Sequence, residues 1–178
     1  MILKPEPIFK VLKEIKSKSN KSGNIRVIFP TPDGEQLNQQ ISYDLAKCEH
    51  IVFVCGHYKG IDQRIRDYLV SDEISIGDYV LTGGELSSMV ILDSIIRLIP
   101  GVLNNMESAN SDTFSFPLLD GPHYTRPEIF DGHKTPEILL SGHHKKIRDW
   151  FLKQRLEKTQ ERRPDLWEKY ISSNGRKE

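Results

Sequence analysis

Three glycine-bearing stretches carry residue types able to seat a ligand. They run from Ser75 to Glu85 (SIGDYVLTGGE), from Gly56 to Gly60 (GHYKG) and from Thr31 to Gly34 (TPDG). Each follows an apolar run, so each reads as a strand tip opening into a turn. Glycine lets a ligand approach bare main-chain amides that any side chain would screen. None of the three has the GxGxxG spacing of a dinucleotide loop or the lysine-bearing pattern of a phosphate loop. What remains is a main-chain-lined pocket for an adenosine-like compound without phosphates. The plainer reading of Ser75 to Glu85, a strand-to-helix turn with no ligand, stays open beside it.

Other residues have chemistry of their own, each with a bland alternative. Cys48 and Cys55 are too few for a disulfide framework and suit a reducing cytosol; Cys55, at the end of an apolar run, reads as core. His123, His133, His143 and His144 follow no zinc-ligand spacing and read as surface groups, so no metal site is expected. A metal hydrolase built on Asp120, His123, Asp131 and His133 is the weaker alternative. Asp112 lies in a polar stretch, where aspartate is ordinarily a turn former, and Arg97 closes an apolar helix, where arginine ordinarily answers the helix dipole.

The elements that must position these groups alternate. A first helix over residues 1–18 precedes a strand from Ile25 to Phe29, which Pro30 to Gly34 ends. A helix follows through Leu37, Ile41 and Leu45. The run His50 to Cys55 is apolar almost throughout, as in a central parallel strand. Asp62 caps a helix reaching Leu69, and Ile74 and Ile76 mark a third strand. The order strand, loop, helix, three times over, predicts an α/β fold with a parallel sheet. From Glu85 to Ile99 the helix is apolar nearly all round, which predicts burial by a second subunit as well as by its own sheet. Residues 104–113 read as a mobile polar loop, and a helix is expected from Ser141 to about Lys158, with a short one after Pro164.

The 178 residues balance 25 Lys+Arg against 25 Asp+Glu, but unevenly. Between His133 and Glu178 stand 12 Lys+Arg and 7 Asp+Glu, leaving 13 and 18 elsewhere. An acidic body with a basic end points to an anionic partner at that end. Lys145, Lys146, Arg148, Lys153 and Arg155, beside Trp150 and Phe151, would suit an RNA backbone, although a solvated helix face is the commoner meaning. No secretory leader and no bilayer-length apolar run is visible, so a cytoplasmic protein without a membrane partner is expected.

Six motifs then resemble the bacterial tRNA (guanine-N1)-methyltransferases: residues 54–62 (VCGHYKGID), 75–86 (SIGDYVLTGGEL), 97–103 (RLIPGVL), 122–128 (PHYTRPE), 138–143 (ILLSGH) and 162–166 (RRPDL). The resemblance runs from Met1 to about Tyr170. It implies a SPOUT methyltransferase, an α/β domain whose parallel sheet carries a deep trefoil knot, with a small C-terminal helical domain that grips the tRNA anticodon stem. The expected division is 1–103, the knotted domain; 104–123, a substrate loop; and 124–178, the RNA-binding domain. It implies a homodimer with S-adenosyl-L-methionine bound at the knot, and leaves magnesium open. Position by position, the donor site would comprise Thr31, Pro32, Gly56, Tyr58, Gly60, Ile76, Gly77, Asp78, Tyr79, Val80, Leu81, Gly83 and Gly84. Asp112, from the partner subunit, would take the proton of guanine N1, and Arg97 would stabilise charge on the guanine carbonyl oxygen. Two departures accompany the resemblance. It starts inside the family's catalytic domain, so the first strand, its helix and a glycine-rich substrate loop are expected to be missing. Lys59 also stands where many members carry glutamate. The alternative is an RNA-binding chain without catalysis.

Overall fold

A computed structural model describes residues 2–18, 25–57, 59–102, 113–114 and 116–174. The chain divides into two compact units, Met1–Met106 and Glu107–Glu178. The first unit contains α1 (Pro5–Lys18), β1 (Ile25–Gln36), α2 (Gln39–Leu45), β2 (His50–Phe53), α3 (Gln63–Leu69), β3 (Asp72–Ser75) and α4 (Glu85–Ile96). The strands form a parallel sheet in the order β2-β1-β3.

The sheet is covered on both faces, and β1 shows how. Val27 and Phe29 join Leu12 of α1 and Ile65 of α3 on one side, while Ile28 joins Leu45 of α2 and Ile91 and Ile95 of α4 on the other. Alternate residues point to opposite faces, so a strand apolar at every position is one with helices on both sides. The same logic applies to β2, whose Val52 and whose Ile51 and Phe53 divide between the two clusters. It also explains why β2 does not occupy the expected central place. Among the described residues it is an edge strand and β1 is the middle one. Apolar runs report covered faces, not the presence of a neighbour on each edge.

A second difference concerns the end of β1. Strand pairing does not stop at Phe29. It runs to Pro30, which faces Ile74, and resumes at Glu35 and Gln36, opposite Ile74 and Ser75. Thr31 to Gly34 are thus an excursion held at both ends by β3. Arg26 fastens the same two strands through a fork to Asp72, with Nε 2.7 Å from Oδ2. Burial alone would raise the Asp72 carboxyl, but the hydrogen bonds from Arg26 and Ser71 hold it below its ordinary range. As expected, Asp62 caps α3, its carboxylate accepting from the Arg64 amide at 2.9 Å.

The second unit holds a two-stranded hairpin, β4 (Ile129–Phe130) and β5 (His133–Lys134), followed by α5 (Glu137–Leu140), α6 (His144–Arg162) and α7 (Pro164–Asn174). The helix expected from Ser141 to about Lys158 is α6, which starts at His144 and reaches Arg162; the short α5 before it was not expected. Within this unit Thr159 is fully buried; its hydroxyl donates to Arg155 O (2.6 Å) and accepts from Leu119 N (2.9 Å). Arg155 and Lys158 donate to the carbonyls of Leu119 and Asp120 at 3.1 and 2.8 Å. One cation of the basic face, Arg155, is thereby spent, together with Lys158, on holding the chain before the hairpin. No described helix is long and apolar enough to cross a membrane.

Candidate functional site

The tips of all three strands converge. The Thr31–Gly34 excursion, the Gly56–Gly60 loop and the segment from Ser75 to Gly84 enclose one cavity of about 320 Å³. It lies beyond the carboxyl ends of the parallel strands, where open α/β sheets place ligands, and within the usual range of small-molecule sites, about 300–1,000 Å³.

Local geometry explains the glycines. Gly84 starts α4 against the end of β2: its N–H donates to Gly56 O at 3.0 Å, and a β-carbon on it would stand 3.0 Å from Cys55 Cα. Only a residue without a side chain lets the helix come that close. Gly77, at φ +147°, turns the chain back so that Tyr79 N–H meets Gly77 O (2.9 Å) and the Tyr79 hydroxyl meets Ile76 O (3.2 Å). Serines tie the same loops. Ser75 Oγ bonds to Gly77 N and O, each at 3.2 Å, and the Ser87 and Ser88 hydroxyls both donate to Gly84 O.

The lining is apolar and main-chain, with one permanent cation, Lys59, and no carboxylate among the described residues. Charges stand just behind it. Arg66 lies 5.6 Å over the ring of Phe29, a lining residue, and donates to Glu73 and to Asp33. The hydrogen bonds it donates to Glu73, then to Asp33, raise its guanidinium above the ordinary value; those that Asp33 accepts from Thr31, then Arg66, lower the Asp33 carboxyl. The cavity wall is therefore braced by a fixed ion network rather than charged itself.

Of the expected donor-site residues, Thr31, Pro32, Gly56, Gly60, Ile76, Gly77, Tyr79, Val80, Leu81, Gly83 and Gly84 line this one cavity. Asp78 does not; it is exposed between Gly77 and Tyr79. Tyr58 and Asp112 lie outside the described residues, as does the polar stretch 104–112. Arg97, the C-cap of α4, is exposed at the end of the helix remote from the cavity, some twelve residues or about 18 Å along its axis. The structure thus does not bring Arg97 to the cavity of its own chain. His57, Ser75, Thr82 and Ser87 line the cavity without having been assigned to it, and so does Lys59, expected there only as a departure from the family's glutamate. The signal for His57 and Lys59 was their place within the same five-residue loop as Gly56 and Gly60. Among the described residues no group of three or more His, Cys, Asp and Glu comes together to hold a metal, although His123 Nε2 and Asp120 Oδ2 meet at 2.7 Å.

Comparison of the sequence with known proteins identifies a family. A family model described as tRNA (Guanine-1)-methyltransferase TrmD matches residues 1–169. A tRNA (guanine-N(1)-)-methyltransferase of Oceanobacillus iheyensis is 56% identical over 169 residues, which is 95% of this chain and 68% of that protein. Namesakes from Shouchella clausii and Listeria monocytogenes are 55% and 52% identical over 170 residues, 96% of this chain and 68% and 69% of theirs. With the family pattern spread over both units and the glycine-lined cavity in place, the chain belongs to the tRNA (guanine-1)-methyltransferase family.

Proposed function

We propose that this chain transfers a methyl group from S-adenosyl-L-methionine to N1 of the guanine just 3′ of a tRNA anticodon, working as a cytoplasmic homodimer. The observation that carries the reading is the single cavity formed by three glycine-bearing strand tips in a chain of this family. The fit to the donor is physical. Main-chain amides and carbonyls can read an adenine edge and ribose, apolar Phe29, Ile76, Val80 and Leu81 can cover the ring, and among the described lining residues no cluster of cations awaits a phosphate. When bound, S-adenosyl-L-methionine supplies an electrophilic methyl group on its sulfonium. Threading of these loops through one another as a trefoil knot is part of the same proposal.

The chain's own residues do the remaining work. Guanine N1 bears a proton at neutral pH and is a poor nucleophile until it leaves. Asp112 is the base that accepts it. Loss of that proton places charge on the guanine carbonyl oxygen, which the Arg97 guanidinium stabilises. Because Arg97 is remote from its own cavity, it and Asp112 serve the cavity of a second copy. α4 supports this. Ile91 and Ile95 pack on the sheet, yet Leu86 and Met89 are 61% and 65% exposed and Val90 and Leu92 are exposed beside them. A contiguous apolar face of this kind marks an interface. Met89→Glu is expected to convert a two-chain particle into a one-chain one in sedimentation; a wild-type protein that already sediments as one chain would overturn the dimer.

The C-terminal unit is the RNA-binding part of the proposal. The first turn of α6 contains His144, Lys145 and Lys146 and no acidic residue. Cations at that end oppose the helix dipole, which is sensible only where an anion is to be met. The test of the whole reading is methyl transfer to unmodified tRNA transcripts carrying guanine or adenine 3′ of the anticodon. Label from the donor is expected only in the guanine transcript, as 1-methylguanosine. Tight tRNA binding with no transfer would replace this reading by a non-catalytic RNA-binding one. Omitting magnesium in parallel settles whether the ion takes part.

A further inference from the structure

The second and third loops of the cavity are joined by side chains as well as by backbone. His57 pairs with Gly83 as an isolated antiparallel bridge, and Gly84 N–H bonds Gly56 O. Over this crossing, His57 Nε2 meets Glu85 Oε1 at 2.8 Å. The two side chains close over the α-carbon of Gly83. A β-carbon there would lie 2.7 Å from His57 Cε1 and in collision with the Glu85 carboxylate. The hydrogen bond from its own backbone N–H, then that to His57, lowers the Glu85 carboxyl, and its place as the first residue of α4 suits an anion. Glu85 is thus carried by the helix, while His57 rides on the loop that contains Gly56, Lys59 and Gly60.

We propose that His57 and Glu85 are a latch that sets the affinity of the cavity for the methyl donor. They act as positioning residues, keeping the Gly56–Gly60 loop seated on Gly83 and Gly84 before the donor arrives. The proposal rests on the donor reading given above. Without the pair, the glycine crossing loses its cover on the solvent side, and the donor must itself hold the two loops together. Such a loss weakens donor binding and leaves the subsequent chemistry alone, since neither side chain faces the guanine in this account. Pre-organisation of a binding loop acts in this way.

A double-mutant cycle tests it. Donor affinity is measured by calorimetry for the wild type, His57→Ala, Glu85→Ala and the double variant, alongside steady-state kinetics. Each single change is expected to weaken donor binding about three- to fivefold, the scale of an exposed charge-assisted pair, and the double change no further. KM for the donor should rise by the same factor, with kcat at saturating donor and KM for tRNA unchanged. His57→Gln, whose amide can still donate to Glu85, should restore most of the affinity. Additive losses, a fall in kcat of the same size, or no recovery with glutamine would each overturn the latch. A wild-type chain that binds no donor would instead overturn the donor reading itself.

Discussion

Asp112→Asn is expected to lower the single-turnover rate of methyl transfer about 10³-fold, within the 10²–10⁴ range of general-base catalysis. The amide keeps the size and hydrogen-bonding reach of the carboxylate but cannot accept the N1 proton. Nothing in the cavity substitutes for it, because no described lining residue is a carboxylate and His57 is engaged with Glu85. Donor affinity and tRNA affinity should both stay within twofold of wild type, which separates loss of the base from loss of a binding contact. Arg97→Met is the companion measurement. It removes charge stabilisation on the guanine oxygen and should cost about 10²-fold, as loss of one oxyanion donor does. The double variant should fall little below Asp112→Asn alone, since the two residues serve one proton transfer. Full activity of Asp112→Asn would show that the base lies elsewhere. Mixing inactive Asp112→Asn chains with cavity-defective Gly84→Val chains adds a second reading. If base and cavity belong to different subunits, mixed dimers recover one working site.

Much of this site was legible in the sequence, for definite physical reasons. Glycines after apolar runs can be read locally, because the turn is a property of the backbone at those positions. The N-cap of Asp62 and the apolar face of α4 were legible on the same ground. Four features were not. Pro30 reads as a strand end, yet β1 pairs through it and again at Glu35 and Gln36, because Ile74 and Ser75 of a later strand supply the partners. The edge position of β2 depends on strand order, which alternation cannot report. Arg155 reads as one more cation on a basic face, whereas it donates to Leu119 O, thirty-six residues away. The His57–Glu85 pair is hidden likewise, by its separation of twenty-eight residues. What depends on one stretch of chain was visible; what depends on which stretches meet was not.

Gly34→Ala should be the most damaging small substitution in the sheet. The residue sits at the end of the Thr31–Gly34 excursion, where β1 rejoins β3. A β-carbon there would lie 2.5 Å from Glu73 C and 2.6 Å from both Glu73 O and Ile74 N. These are main-chain atoms, so no rotamer change relieves the clash. Nor can β3 easily withdraw, since the Glu73 side chain is held by Arg66 and Ile74 is buried in the core against Ile28 and Ile91. The strands must part around Glu35↔Ile74 and Gln36↔Ser75, loosening the bond from Leu37 N to Ser75 O. Overpacking of this kind costs about 3 kcal/mol. For a chain of this size that corresponds to a fall in melting temperature of roughly 6–12 °C. The loss should also reach function, because Thr31 and Pro32 line the cavity from the same excursion and Ser75 lines it from the displaced strand. Donor binding measured well below the lowered midpoint is therefore expected to weaken along with stability, whereas a change in the hairpin of the second unit, such as Phe130→Ser, should leave it as it was. A Gly34→Ala protein that melts within a degree of wild type and binds donor normally would show that β1 and β3 are not packed as tightly here as the backbone places them.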